Sequence, residues 1–436
     1  MEEVESSTPS NTGRNELTIR RVTVAKNVYF SRSYLFSLMR LCVLLSLVVS
    51  LSLLALPAAS QAIGLLRFDT RTRRLERLPA VPYDTTLQQA TTSFFRGHTG
   101  RLTALANRLP TTNALPNTQF SIRQRAASAV PLLSYPVSTA VRLTGYQQGA
   151  VTGQASGTLV GERFVLTAAH NVAQATGQTL LIASDSVLVE PVLDNGRPAP
   201  LPAAWAYRYY IPATYDEQFR NDLCLLELAA PIGRTTGWLS IGFNKDRSWV
   251  GQQVWHKFSY PVIDISGRTP YNGDTLYYEF GQAQASGQRP FNISVPNHSD
   301  GAGGQSGSSL FVTDNASYWT IYATLTFSGN FEHTGLSPAT YHAFSQILRA
   351  ALVLDPGRYV CYPNPVQDIL FVQVPATSAG PITAELFDAV GRRVHTGSYT
   401  PIEDEISLDL HGLRAGLYVL QVTATPGRQR VKVIKQ

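Results

Sequence analysis

Gly303-Gly304-Gln305-Ser306-Gly307-Ser308-Ser309-Leu310-Phe311 places one serine among glycines at the mouth of an apolar run. A serine hydroxyl is a weak nucleophile. It needs an adjacent base and donors for the oxyanion that develops on the attacked carbonyl. Glycine accepts backbone dihedrals that other residues resist, so such a loop can turn its N–H groups inward. A Gly/Ser surface turn has the same composition. The two readings separate on whether the chain supplies a base and an acid elsewhere.

Both occur upstream. Phe164-Val165-Leu166-Thr167-Ala168-Ala169-His170-Asn171 is an apolar strand running through small residues into a histidine. Arg220-Asn221-Asp222-Leu223-Cys224-Leu225-Leu226-Glu227-Leu228 sets an acid at the mouth of another. Alone, His170 reads as a structural or surface histidine, and Asp222 as a strand-end turn residue. The combination is far more specific, because a base oriented by an acid is what a serine nucleophile requires.

Together the three segments resemble the trypsin/chymotrypsin-like serine proteases, whose pattern is Thr-Ala-Ala-His, then Asp-Ile-Ala-Leu-Leu, then Gly-Asp-Ser-Gly-Gly-Pro. The Gly-Gly-Gln-Ser-Gly-Ser run is closer to the bacterial glutamyl-endopeptidase-like branch. The resemblance covers roughly Ser134 to Leu354. Ser309 stands where the family usually has Pro, and Asn171 where animal members have a disulfide Cys.

The resemblance implies a secreted serine endopeptidase. Ser306 would attack a peptide carbonyl, His170 would carry the proton, and Asp222 would fix the imidazole tautomer. The N–H groups of Gly304 and Ser306 would form the oxyanion hole. Thr326-Phe327-Ser328-Gly329 resembles the family's substrate-binding strand, along which an extended peptide adds as a β-strand. Asp300 stands where the trypsin pattern carries the acid that pairs with Arg or Lys, so a cationic P1 residue would be favoured. Asp300 can equally be a turn residue in His298-Ser299-Asp300-Gly301.

Short apolar stretches recur from Ser134 onward, among them Ala140-Val141-Arg142-Leu143, Gly157-Thr158-Leu159-Val160 and Val187-Leu188-Val189. With Gly, Pro, Asn and Asp between them they read as all-β, a sandwich or barrel. The resemblance makes this two six-stranded antiparallel barrels, chymotrypsin-like, with catalysis in the cleft between them. Phe344, Ile347, Leu348, Ala351 and Leu352 recur at helical spacing.

Four regions follow: a leader with signal peptide (1–62), a probable pro-segment (63–125), the protease domain (126–355) and a C-terminal unit (356–436). Leu41 to Leu56 is a Leu/Val/Ser run preceded by Arg40 and followed by Ala58-Ala59-Ser60-Gln61-Ala62. It reads as a signal peptide cleaved after Ser60 or Ala62, the alternative being a membrane anchor. Residues 63–125 are Arg-rich and show no sustained strand or helix pattern. They occupy the place of a pro-segment ending at the basic site Arg123-Gln124-Arg125, or else form a flexible linker.

Asp355-Pro356-Gly357 breaks the chain before a set of short strands. Tyr362-Pro363-Asn364-Pro365, Glu385-Leu386-Phe387-Asp388 with Gly391-Arg392, Leu413-Arg414-Ala415-Gly416-Leu417-Tyr418 and the basic end Val431-Lys432-Val433-Ile434-Lys435 resemble the C-terminal sorting domain of the Bacteroidetes type IX secretion system. A small carbohydrate-binding β-sandwich is the rival reading. The sorting resemblance implies export through the periplasm and outer membrane, with membrane contact only in transit and the secretion machinery as a partner.

The formal charge of +6 is unevenly spread. Through Arg125 there are 16 Lys and Arg against 7 Asp and Glu, which leaves 20 against 23 in the rest. The body therefore lacks the basic stripe of a nucleic-acid binder. The three cysteines are Cys42 in the apolar run, Cys224 inside an apolar strand and Cys361 in a separate unit, which does not make a disulfide framework. No His/Cys/carboxylate pair has a metal-ligand spacing, and no cofactor is implied. Polypeptide substrates are the expected partners. An inactive protease-like surface module and an esterase are the alternatives.

Overall fold

The computed structural model describes residues 63–436 except 81–86, 88, 99–108, 111–119, 121–122, 178, 264–270, 288, 296–302, 314–318, 328–331, 354–358, 363, 365, 367, 375–378, 402–404 and 426. The expected leader and signal peptide, Asp300 and Ser328 lie outside the described residues.

Four short strands come first: β1 (Leu65–Asp69), β2 (Arg74–Arg77), β3 (Thr92–Phe95) and β4 (Gln124–Arg125). Then follow β5 (Ala140–Gln147), β6 (Ala150–Gly161), β7 (Phe164–Thr167), the hairpin of β8 (Ala173–Thr176) and β9 (Thr179–Ile182), β10 (Ser186–Pro191), β11 (Ala204–Pro212) and β12 (Cys224–Leu228). The order β10-β5-β6-β7-β12-β11 closes on itself, because β10 pairs with β11 as well as β5. That is a six-stranded antiparallel barrel. β12 is buried at every position, so its polar Glu227 is held by Tyr207, Tyr210 and Arg208.

The second sheet contains β13 (Ser240–Asn244), β14 (Trp255–Ser259), β17 (Tyr277–Gly281), β18 (Gln284–Ala285), β19 (Ile293–Ser294), β20 (Ser309–Thr313), β21 (Trp319–Phe327) and β22 (Glu332–Gly335), with a small pair β15 (Val262–Ile263) and β16 (Tyr271–Asn272) beside it. Its order is β18-β19-β22-β21-β20-β14-β17-β4. It curls into a half-barrel, in place of the second closed barrel that the resemblance implied. β13 joins β21 in parallel, at Ser240 with Thr320 and Ile241 with Ile321.

The front of the chain differs from its sequence reading. Residues 63–125 supply strands to both sheets. β1 pairs with β11 and carries β2 on its outer edge; β3 pairs with β13, and β4 with β17. These runs are too short to show a period by themselves. Their partners lie far along the chain, as with Phe68 opposite Tyr209. Burial of Leu65, Phe68, Phe95, Leu109 and Phe120 holds them there.

Helix α1 (Pro338–Val353) buries Tyr341, Phe344 and Leu348, as its spacing requires. Ser337 caps it, accepting the Thr340 N–H at 3.1 Å, and Pro338 opens it where no N–H is needed. The tail forms a separate β-sandwich. One sheet is β23 (Val360–Tyr362), β24 (Ile369–Gln373) and β27 (Glu405–Asp409). The other is β25 (Ala379–Phe387), β26 (Arg393–Tyr399), β28 (Gly416–Thr425) and β29 (Gly427–Lys435). Cys224 and Cys361 are buried and free, packed as small apolar side chains.

Candidate active site

β7 runs into a single turn of 3-10 helix, Ala169–Asn171, which carries His170 at the rim of the barrel. Asp222, at the head of β12, fixes that turn. Its Oδ1 accepts the His170 N–H at 2.9 Å, and its Oδ2 meets Nδ1 at 2.7 Å. A carboxylate can only accept, so Nδ1 keeps its proton and Nε2 is left with the free lone pair. Asp222 is fully buried, whereas 23% of the His170 side chain is open to solvent. Burial alone would lower the imidazole pKa. The charge of Asp222 and its hydrogen bond outweigh that, and the pKa is raised.

A built loop walls this pair. Phe219 sets its ring edge-on to His170, centroids 5.8 Å apart. Phe219 and Asn221 both have left-handed backbone (φ 57° and 51°). Asp216 holds that shape by accepting the N–H groups of Gln218 and Arg220. Arg289, ahead of β19, reaches across and donates to the carbonyls of Gln218 and Phe219 at 2.6 and 3.0 Å.

The loop 303–309 bends through two glycines with positive φ. Gly304 (79°) is so close to Tyr260 that a Cβ would lie 2.3 Å from its carbonyl oxygen; at Gly307 (83°) a Cβ would lie 2.1 Å from Thr167 Oγ1. At both positions the dihedral and the close approach demand glycine. Gly304 is buried and Ser306 half-buried between them.

Two residues pin this loop to the first barrel. Asn171 Nδ2 donates to the Ser306 carbonyl at 3.1 Å and to Thr167 Oγ1 at 2.9 Å. Ser156 on β6 donates its N–H to the Ser306 carbonyl at 2.9 Å and its hydroxyl to the Gly304 carbonyl at 2.7 Å, while accepting the Tyr260 N–H at 2.9 Å. The residue next to the candidate base is therefore bonded to the main chain of the candidate nucleophile. Ser156 carries no motif, and nothing in the sequence singles it out.

Thr326 is buried near the end of β21, its hydroxyl 2.6 Å from Thr334 Oγ1. Phe327 ends that strand. The strand is hydrogen-bonded to the nucleophile loop, Gly307 N–H to the Leu325 carbonyl at 2.9 Å and Leu325 N–H to Ser308 at 2.8 Å.

Residues 134–350 match the family described as Trypsin. This region is a trypsin-family domain. Residues 360–436 match the family described as Secretion system C-terminal sorting domain, which marks the chain for type IX export to the cell surface or beyond. Among solved structures the chain is similar to a Glu endopeptidase in complex with MPD, at 19% identity over 52% of this chain and 95% of that one, with a TM-score of 0.40. It is also similar to the thermostable serine protease AL20 from an extremophilic microorganism, at 18% identity over 49% and 97%, with a TM-score of 0.39. No curated protein matches the chain.

Proposed function

We propose that the trypsin-family domain is a serine endopeptidase acting through an acyl-enzyme. Ser306 Oγ attacks the scissile carbonyl while His170 Nε2 takes its proton, and the imidazolium returns that proton to the leaving amine. Asp222 holds the tautomer and stabilises the imidazolium. The N–H groups of Gly304 and Ser306 receive the oxyanion, each such donor being worth about 2.7–4 kcal/mol in comparable sites. Water then takes the acyl group by the same proton path in reverse.

The observation that carries this reading is the doubly bonded His170–Asp222 pair, with Asn171 joined to the Ser306 main chain. Substrate would add as a strand along Thr326–Ser328. Asp300 would favour Arg or Lys at P1, so cleavage after those residues should disappear in Asp300→Ser.

Turnover of casein and of small acyl esters by Ser306→Ala, His170→Ala and the double variant tests the proposal. Triad members act as a unit, so the double variant should be scarcely worse than either single one. Near-normal casein turnover by Ser306→Ala refutes it. Esters cleaved with casein untouched indicate an esterase, and inert wild-type protein indicates a binding module.

A further inference from the structure

Beside the nucleophile loop lies a buried polar cluster that the proton path does not use. Arg123, from the segment ahead of the protease domain, is only 4% exposed at its side chain. Its Nε meets Glu279 Oε1 at 3.2 Å, and its Nη2 donates to Gln305 Oε1 at 3.2 Å. Gln305 Nε2 donates in turn to Ser259 Oγ at 3.1 Å and to Glu279 Oε2 at 3.3 Å. Lys257 completes the cluster, with Nζ 2.9 Å from Glu279 Oε2. The Arg123 guanidinium also stands 5.0 Å from the centroid of the Tyr271 ring.

Burying a guanidinium is costly unless its geometry is well satisfied. β4, which follows Arg123, has both its residues exposed and needs no buried cation to pair with β17. What the buried arginine does reach is Gln305, fully buried and immediately before Ser306. The Ser306 N–H belongs to the peptide unit that begins at the Gln305 carbonyl carbon. A side chain gripped at both its oxygen and its nitrogen restrains rotation of that unit. The planar fork of arginine suits this, since it bonds Glu279 and Gln305 at once.

We infer that Arg123 is a positioning residue for the oxyanion-hole loop, acting through the side chain of Gln305. The segment ahead of the protease domain thus supplies part of the support for its active site. The inference rests on the reading of Ser306 as the nucleophile.

The test uses the full chain, a fluorophosphonate probe and a small acyl ester. Wild-type protein should label at Ser306; no labelling at all would remove the nucleophile assignment and this inference with it. In Arg123→Met the labelling rate and kcat should fall about tenfold to a hundredfold, as for other small misplacements of reacting groups, while KM stays within about twofold. Millimolar guanidinium should restore much of the rate to Arg123→Ala and leave the wild type unchanged. Should neither variant fold, Arg123→Lys decides. It keeps a cation for Glu279 but loses the second arm to Gln305, and its kcat should fall about tenfold. A folded variant that melts earlier yet acylates at the wild-type rate, or an unchanged kcat in Arg123→Lys, overturns the inference.

Discussion

The two flanks of the trypsin-family domain look alike as additions to a protease, and they are built in opposite ways. The tail has a core of its own: Tyr359, Leu370, Val372, Leu386, Leu408, Leu420, Val422 and Val433 pack together with no protease-domain residue among them, and Phe371 alone of its described apolar side chains packs against the first barrel's core. The front segment has no such core. Ile63, Leu65, Phe95 and Leu109 pack with Leu239, Phe243 and Phe344, Phe68 joins the core of the first barrel, and Phe120 joins that of the second sheet. Whether a segment can be separated depends on where its apolar side chains are buried. The tail meets the front segment at its edge, where the Arg96 guanidinium lies 3.5 Å from the Phe371 ring centroid and the Cys361 carbonyl 3.2 Å from His98 Nε2.

The sharpest way to break this contrast is to start the chain at Ala126. Loss of β1 and β3 with their buried side chains should leave no folded protease body, read as absent near-ultraviolet dichroism and absent turnover. For the same reason, a cut after Arg125 in the full chain should leave the segment bound, and the two pieces should co-elute under native conditions. Single truncations should act locally. Phe68→Ala should destabilise the protease body by about 3–5 kcal/mol, and Leu420→Ala should lower only the tail's transition, by about 2–5 kcal/mol, both in denaturant melts. A Phe68→Ala variant with an unchanged melt would show the segment to be merely draped on the surface.

Deleting the chain from Tyr359 should leave kcat/KM within about twofold, because the tail core and the site share no residues. Export should be lost. The smallest effect concerns pH. In the proposed mechanism His170 acts only when neutral, and Asp222 holds its pKa above the ordinary imidazole value. Activity should therefore fall as pH drops through that raised pKa, with the acid limb of kcat/KM above about 6.5. Tail deletion should not move this limb. A limb below 6.5 would mean that the aspartate does not control the histidine.

The parts legible in sequence are those whose chemistry is local. A strand running on into Ala168-Ala169-His170, an acid heading an apolar run, and a serine between glycines each suggest a role within a few residues. The tail was legible for the same reason, through turn signals such as Asp388 with Gly391 and Arg392. What was not legible depends on distant partners. β1 has few residues and takes its register from β11. Ser156 and Arg123 are ordinary residue types whose importance comes from reaching Gly304, Ser306 and Gln305 across the fold. In the half-barrel β13 enters beside β21 in parallel, a pairing that no alternation of apolar residues announces.

Peptide mapping of the fluorophosphonate-treated full chain would locate the nucleophile. A single adduct is expected on Ser306, absent in Ser306→Ala and slowed by orders of magnitude in His170→Ala. An adduct on another residue, or labelling of Ser306 at an undiminished rate without His170, would contradict it.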